Sequence, residues 1–219
     1  MMKVKMNMSY HTLQGTVVEL YTEYMTPEAA LNVVEDLFKT KRVKDVTIVD
    51  DIDHEWSVSE LEKLMIQIES EPHHIKVYFD GGYDKYTAQS GLGVVIYYEQ
   101  DGKAYRIRRN AKVDALHSNN EAEYAALHLA TKELANIGVD KTDVKCVGDS
   151  LVVINQMRGD WASYDQELNS WANRIDESFH QLQIEPIYEI INRHDNKEAD
   201  KLASQALQNI SISSVIEKT

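Results

Sequence analysis

Apolar and polar side chains alternate through Ile75–Gly82, IKVYFDGG. Ile75, Val77 and Phe79 point one way, and Lys76, Tyr78 and Asp80 the other. β-Branched and aromatic residues dominate, so the pattern predicts a strand in the middle of a sheet, closing at Asp80 before two glycines. Gly91–Glu99 predicts a second strand and Lys103–Ala111 a third, with Asp101-Gly102 as the hairpin turn between them. Three strands joined by short turns make an antiparallel meander. The period then lengthens. Ser118 followed three residues on by Glu121 has capping-box spacing, and the helix it opens runs to about Asn136 and stops at Gly138. A short strand over Asp143–Asp149 and a short helix over Leu151–Met157 follow. Residues 163–166 cap a longer helix, on which Leu168, Trp171, Ile175 and Phe179 recur at spacings of three and four. Ile184–Ile191 is a fifth strand and Asn196–Leu207 a final helix. Residues 209–219 are polar and read as a tail without fixed structure.

The residues before this run carry the same two periods. Lys3–Tyr10 and Thr16–Tyr24 read as a hairpin around Gly15. Thr26-Pro27 opens a helix with an apolar face of Ala30, Val33, Val34, Leu37 and Phe38. Val46–Val49 is a third strand, with a further short strand near His54–Val58. Ser57 or Ser59 caps a second helix bearing Leu61, Leu64, Met65 and Ile68. Residues 1–72 thus form a small α+β module, and the polar, proline-bearing segment ESEPHH marks its end. Its residues have no catalytic spacing, so its expected jobs are packing, homo-oligomer formation or binding a protein partner. Residues 75–208 form the larger module, βββαβααβα, which implies an α/β fold with a mixed sheet and helices on both faces.

Composition narrows the class. No apolar run in the 219 residues is long enough to span a membrane. The N-terminal residues lack the apolar stretch of a signal peptide. The one cysteine, Cys146, excludes an internal disulfide and suits a reducing compartment, so cytoplasmic localisation is expected. The formal net charge is −13. That argues against bulk electrostatic capture of nucleic acid, although cations at a metal site can screen carboxylates locally.

Four carboxylates stand in unusual places: Asp80 at a strand end, Glu123 one turn into a helix, Asp149 at another strand end and Asp200 in the first turn of the last helix. Singly, each is better explained as a cap, a turn residue or a partner of a helix dipole. Together they can converge on one edge of the sheet, where they would raise one another's pKa unless paired with a cation. Oxygen ligands suit Mg²⁺ or Mn²⁺, and no Cys or His cluster with zinc spacing competes. Carboxylates holding two hard cations are a recurrent device for phosphodiester cleavage.

FDGG at 79–82, SNNEAEYAAL at 118–127, GDS at 148–150 and NKEADKLA at 196–203 resemble the four acidic motifs of type 1 ribonuclease H, in order and on matching elements. QMRGDW at 156–161 looks like the segment after the third acid in several bacterial and archaeal members. The resemblance covers residues 75–208. It implies a five-stranded sheet of order 3-2-1-4-5 and an enzyme that cleaves the RNA strand of RNA/DNA hybrids with two Mg²⁺ or Mn²⁺ ions. Asp80, Glu123, Asp149 and Asp200 fall on its catalytic, metal-ligand positions. Ser118, Asn119, Asn120 and Asn196 fall on substrate-binding positions.

The chain also departs from the family pattern. The interval from Asp149 to Asp200 is too short for the basic, tryptophan-bearing handle of some members. His194 lies only six residues before Asp200 and reads as a surface residue, and His117 as structural or a minor substrate contact. Residues 1–74 carry 7 basic against 14 acidic residues, unlike a hybrid-binding domain. Arg106, Arg108, Arg109 and Lys112 are the only dense basic stretch, read either as a solvated strand face or as a substrate contact. The rival reading is therefore a nucleic-acid-binding or regulatory module that keeps the fold but turns over poorly.

Overall fold

A computed structural model describes residues 2–218. The chain divides into two compact units, one ending at Ser70 and the other beginning at Glu71.

In the first unit β1 (Val4–His11), β2 (Val17–Tyr21), β3 (Val43–Asp50) and β4 (Glu55–Trp56) form an antiparallel sheet of order β2-β1-β3-β4. Alternation in β1 buries Val4, Met6 and Met8 against Ile48 of β3. Helices α1 (Pro27–Lys39) and α2 (Val58–Ser70) add Ala30, Val34 and Leu61 to that core. The Thr26 hydroxyl accepts from the Ala29 N–H, capping α1. Ser57, rather than Ser59, caps α2. Its Oγ accepts from the Glu60 N–H, while Glu60 accepts from both the Ser57 N–H and hydroxyl.

The second unit holds the meander β5 (His73–Asp84), β6 (Gln89–Gln100) and β7 (Lys103–Asp114), then α3 (Asn119–Asn136), β8 (Val144–Gly148), α4 (Leu151–Met157), α5 (Gln166–Gln181), β9 (Pro186–Ile190) and α6 (Lys197–Leu207). β8 joins β5, and β9 joins β8, in parallel. Over these five strands the order is the expected one. Two expectations need correction. The β5 strand does not close at Asp80 but runs through Gly81 and Gly82 to Asp84, because Gly81 serves close packing there rather than a turn. Residues 209–219 are not a free tail: Ser213–Lys218 form β10, antiparallel to β7, so the sheet has six strands in the order β10-β7-β6-β5-β8-β9. Buried Asn110 explains the docking. Its Nδ2 donates to the Leu202 and Ile210 carbonyls, and its Oδ1 accepts from the Ile212 N–H.

The core runs from Val77, Phe79, Val94 and Ile96 of the sheet into Tyr124, Leu127 and Leu134 of α3, and on to Ile175 and Phe179 of α5. α3 lies between the sheet and α5, which is why apolar residues are buried around most of its circumference. Each large side chain buried this way contributes roughly 1.5–3 kcal/mol. Among the described residues no helix is long and apolar enough to cross a membrane.

Candidate active site

Missing side chains build the site. Asp80 pairs across the sheet with Gly93, two residues from Gly91 on β6. A methyl group on Gly93 would overlap the Ala199 carbonyl oxygen, and one on Gly91 would overlap that of Ala203. Only a bare backbone lets α6 descend this far, and the descent carries Asp200 toward Asp80. On the other face a methyl on Gly81 would overlap the Ala122–Glu123 peptide, so the first turn of α3 rests directly on β5. Gly148 leaves room for the Phe79 ring just before Asp149.

These approaches bring Asp80, Glu123, Asp149 and Asp200 to the wall of one cleft of about 140 Å³, shared with Asn119 and Arg193. The environment is hostile to negative charge. Burial, followed by the charges of Asp149 and Asp200, pushes Asp80 up to about 7, with Arg193 opposing. Burial, followed by the charges of Asp80 and Asp149, pushes Glu123 up to about 9, against the Gly81 N–H and Arg193. Glu123 Oε2 is buried with no hydrogen-bond partner. In this form Glu123 is protonated at neutral pH and Asp80 partly so. Four hard carboxylates, one with an orphaned oxygen, match the donor set of Mg²⁺ or Mn²⁺.

The substrate-binding expectations divide. Asn119 lines the cleft and accepts from the Tyr83 N–H at 3.3 Å. Ser118 is the N-cap of α3, accepting from the Glu121 N–H at 3.1 Å, and Asn120 is half-buried off the cleft wall. The expected capping box is altered: Glu121 accepts from the His117 N–H and the Trp171 indole instead of the Ser118 N–H. Asn196 requires correction. It is 1% exposed, and its Nδ2 donates to the Phe79 carbonyl at 2.9 Å and to Asp149 Oδ1 at 2.6 Å. It therefore ties the last acid's helix to β5 and orients Asp149, instead of facing substrate. It makes no side-chain cap, for the same reason.

Arg193 was not anticipated. It sits in a 3₁₀ turn at Arg193–Asp195, is 80% exposed on its side chain, and donates to Asp200 Oδ1 at 2.9 Å. Its only sequence signal is a cation one turn before the last acidic motif. His194 next to it pairs with Asp195 and stays exposed off the cleft. The basic stretch on β7 is neither a solvated face nor a free substrate contact. Arg106 and Arg108 pair with Glu198 of α6, Arg109 with Glu133 and Ser213, and Lys112 with Asn209.

Known proteins share this arrangement of elements. The family model described as reverse transcriptase-like matches residues 78–206. An uncharacterized protein of Bacillus subtilis, YpeP, is 40% identical over 193 residues, covering 88% of this chain and 85% of that protein. Ribonuclease HI of Halobacterium salinarum is 29% identical over 133 residues, covering 61% of this chain and 64% of that protein. The crystal structure of RNase H1 from that archaeon matches with a TM-score of 0.55 at 29% identity, covering 62% of this chain and 98% of the archaeal one. LC11-RNase H1, crystallised in complex with an RNA/DNA hybrid, matches with a TM-score of 0.55 at 26% identity, covering 62% of this chain and 97% of its own.

Proposed function

The chain belongs to the reverse transcriptase-like family, with a ribonuclease H fold in its second unit, and on that premise we propose that it is a metal-dependent endoribonuclease acting on the RNA strand of RNA/DNA hybrids. The observation that carries this reading is the cleft walled by Asp80, Glu123, Asp149 and Asp200. Two Mg²⁺ or Mn²⁺ ions held by these four carboxylates would supply an activated water and charge stabilisation at the leaving oxygen. The chain's own residues prepare for that. Burial and neighbouring charge hold Asp80 and Glu123 short of full ionisation, so bound cations would take the place of those protons. Asn196 fixes the Asp149 carboxylate, and Gly81 seats Glu123 on the sheet. Asn119 stands at the cleft wall, in reach of a backbone or a 2′-hydroxyl, the group that separates RNA from DNA.

A second reading, a ribonuclease H-like nucleic-acid-binding or regulatory module with little turnover, draws on the β7 basic stretch, whose charges are engaged by Glu198 and Glu133 of the same chain, and on the net charge of −13, both of which weaken the grip an efficient nuclease needs on its substrate. One assay separates the two. Cleavage of a labelled hybrid that needs Mg²⁺ or Mn²⁺, stops with chelator and disappears in Asp149→Asn supports the enzyme. Hybrid retention in a gel shift without cleavage under either metal supports the module.

A further inference from the structure

Two histidines and a glutamate meet at the end of the β5–β6 pair remote from Asp80. Ligating atoms of His73, His74 and Glu99 all lie within 4.8 Å of one another. His74 Nδ1 is 3.1 Å, and His73 Nε2 3.8 Å, from Glu99 Oε2. Donor atoms arranged tetrahedrally at roughly 2.0–2.1 Å from a zinc ion stand about 3.3 Å apart, and the two distances to Glu99 bracket that value.

Ordinary strand geometry would not make this cluster. Successive side chains on a strand point to opposite faces. His73 lies directly across from Glu99, and the next pair is Lys76 with Tyr97, so β5 carries one extra residue there. The extra residue falls where His74 adopts a positive φ of 52°, uncommon for a non-glycine side chain. The bulge brings the second imidazole to the same glutamate as the first, with ring centroids 4.9 Å apart.

The tautomer of His73 is set as well. Its Nδ1 is 2.9 Å from the Glu71 carbonyl oxygen. A carbonyl offers only lone pairs, so Nδ1 carries the proton of the neutral ring and Nε2 turns its lone pair toward Glu99. A backbone carbonyl holding the distal N–H of a histidine is the usual support of a metal-binding imidazole.

We propose that His73, His74 and Glu99 form a second metal site, selective for Zn²⁺ and separate from the acidic cleft. Imidazole nitrogens favour borderline cations such as zinc over Mg²⁺, which demands oxygen ligands in octahedral array. His73 and Asp80 are seven residues apart on one strand, roughly 23 Å at about 3.3 Å per residue, so one ion cannot serve both sites. The zinc clamps the start of β5 to the end of β6, closing the bulged end of the sheet, and leaves a fourth coordination position to water.

The test uses the full chain dialysed against ZnCl₂ in millimolar Mg²⁺, included to compete for the acidic cleft, with bound zinc counted by mass spectrometry. One zinc per chain is expected. His74→Asn keeps a side chain that tolerates positive φ, and both it and Glu99→Gln should weaken zinc binding by at least roughly 10–100-fold, the loss that even a supporting partner brings. Asp149→Asn should retain the zinc. Zinc should raise the melting temperature of the unmodified chain and not of His74→Asn. Unchanged zinc binding in His74→Asn and Glu99→Gln overturns the proposal, as does an unmodified chain that retains no zinc. Loss confined to Asp149→Asn also overturns it, by placing the ion in the acidic cleft.

Discussion

The buried carboxyl of Glu123 makes a signed prediction about stability. Its folded-state pKa lies near 9, far above the usual carboxylate range, because burial and the charges of Asp80 and Asp149 oppose ionisation. A group with a raised folded pKa binds its proton more tightly in the native state than in the unfolded chain. Its contribution is therefore fully present below the unfolded pKa and is lost as the pH rises through the folded value. Between about pH 5 and pH 9 the native state holds one proton that the unfolded chain has released, so stability falls by about 1.4 kcal/mol per pH unit from this group alone. Glu123→Gln keeps the shape and removes the titration. In EDTA, where no cation replaces the proton, the variant's stability curve should be flatter by about that slope. A gain of about 3 kcal/mol over the unmodified chain should accumulate across roughly two pH units above pH 6. Urea series at several pH values, read by hydrogen exchange of peptides from residues 75–207, report the second unit alone. Parallel curves for the two proteins would refute the reasoning, since the Glu123 carboxyl would then titrate alike in the folded and unfolded chains. Asp80→Asn should show the same effect over a lower window, from about pH 4 to pH 7, because its folded value is about 7.

Other perturbations follow from the packing. Gly81→Ala forces a methyl into the Ala122–Glu123 peptide and should destabilise by about 1–3 kcal/mol or more, with kcat falling as α3 shifts; urea midpoints and single-turnover rates check both. Arg106→Ala combined with Arg108→Ala removes two half-exposed pairs with Glu198. It should cost about 1 kcal/mol or less per pair and leave the salt dependence of hybrid affinity unchanged, whereas a slope shallower by about one per residue would place these arginines on the hybrid. Asn110→Ala removes three hydrogen bonds, leaves the Ile212 N–H without its acceptor and should destabilise by about 2–3 kcal/mol, with faster amide exchange over Ser213–Lys218; protected exchange there would show that β10 docks without the clamp.

Local pattern carried much of this protein. Alternation in Ile75–Phe79, the Asp101-Gly102 turn, the Ser118 cap and the four- and three-residue spacings of α5 each encode an element within a dozen residues. The order of those elements prescribes the five central strands. The four acids were legible because each lies in a short motif at a predicted strand end or helix start, although Asp80 proved to lie within β5 and not at its end. What only the tertiary structure decided depends on partners far apart in the chain. Gly81 looks like a turn residue in sequence and Gly93 like any strand position, and their packing role appears only when α3 and α6 lie against them. Arg108 and Glu198 are separated by ninety residues, so no local period tells a paired arginine from a solvated one. Asn196 carries the signature of a helix cap, yet the Phe79 carbonyl and Asp149 are better partners once buried beside it. The last strand has too few apolar residues to announce itself. It forms because β7 offers an open edge of backbone donors and acceptors and Asn110 holds the chain there, conditions set by the assembled sheet.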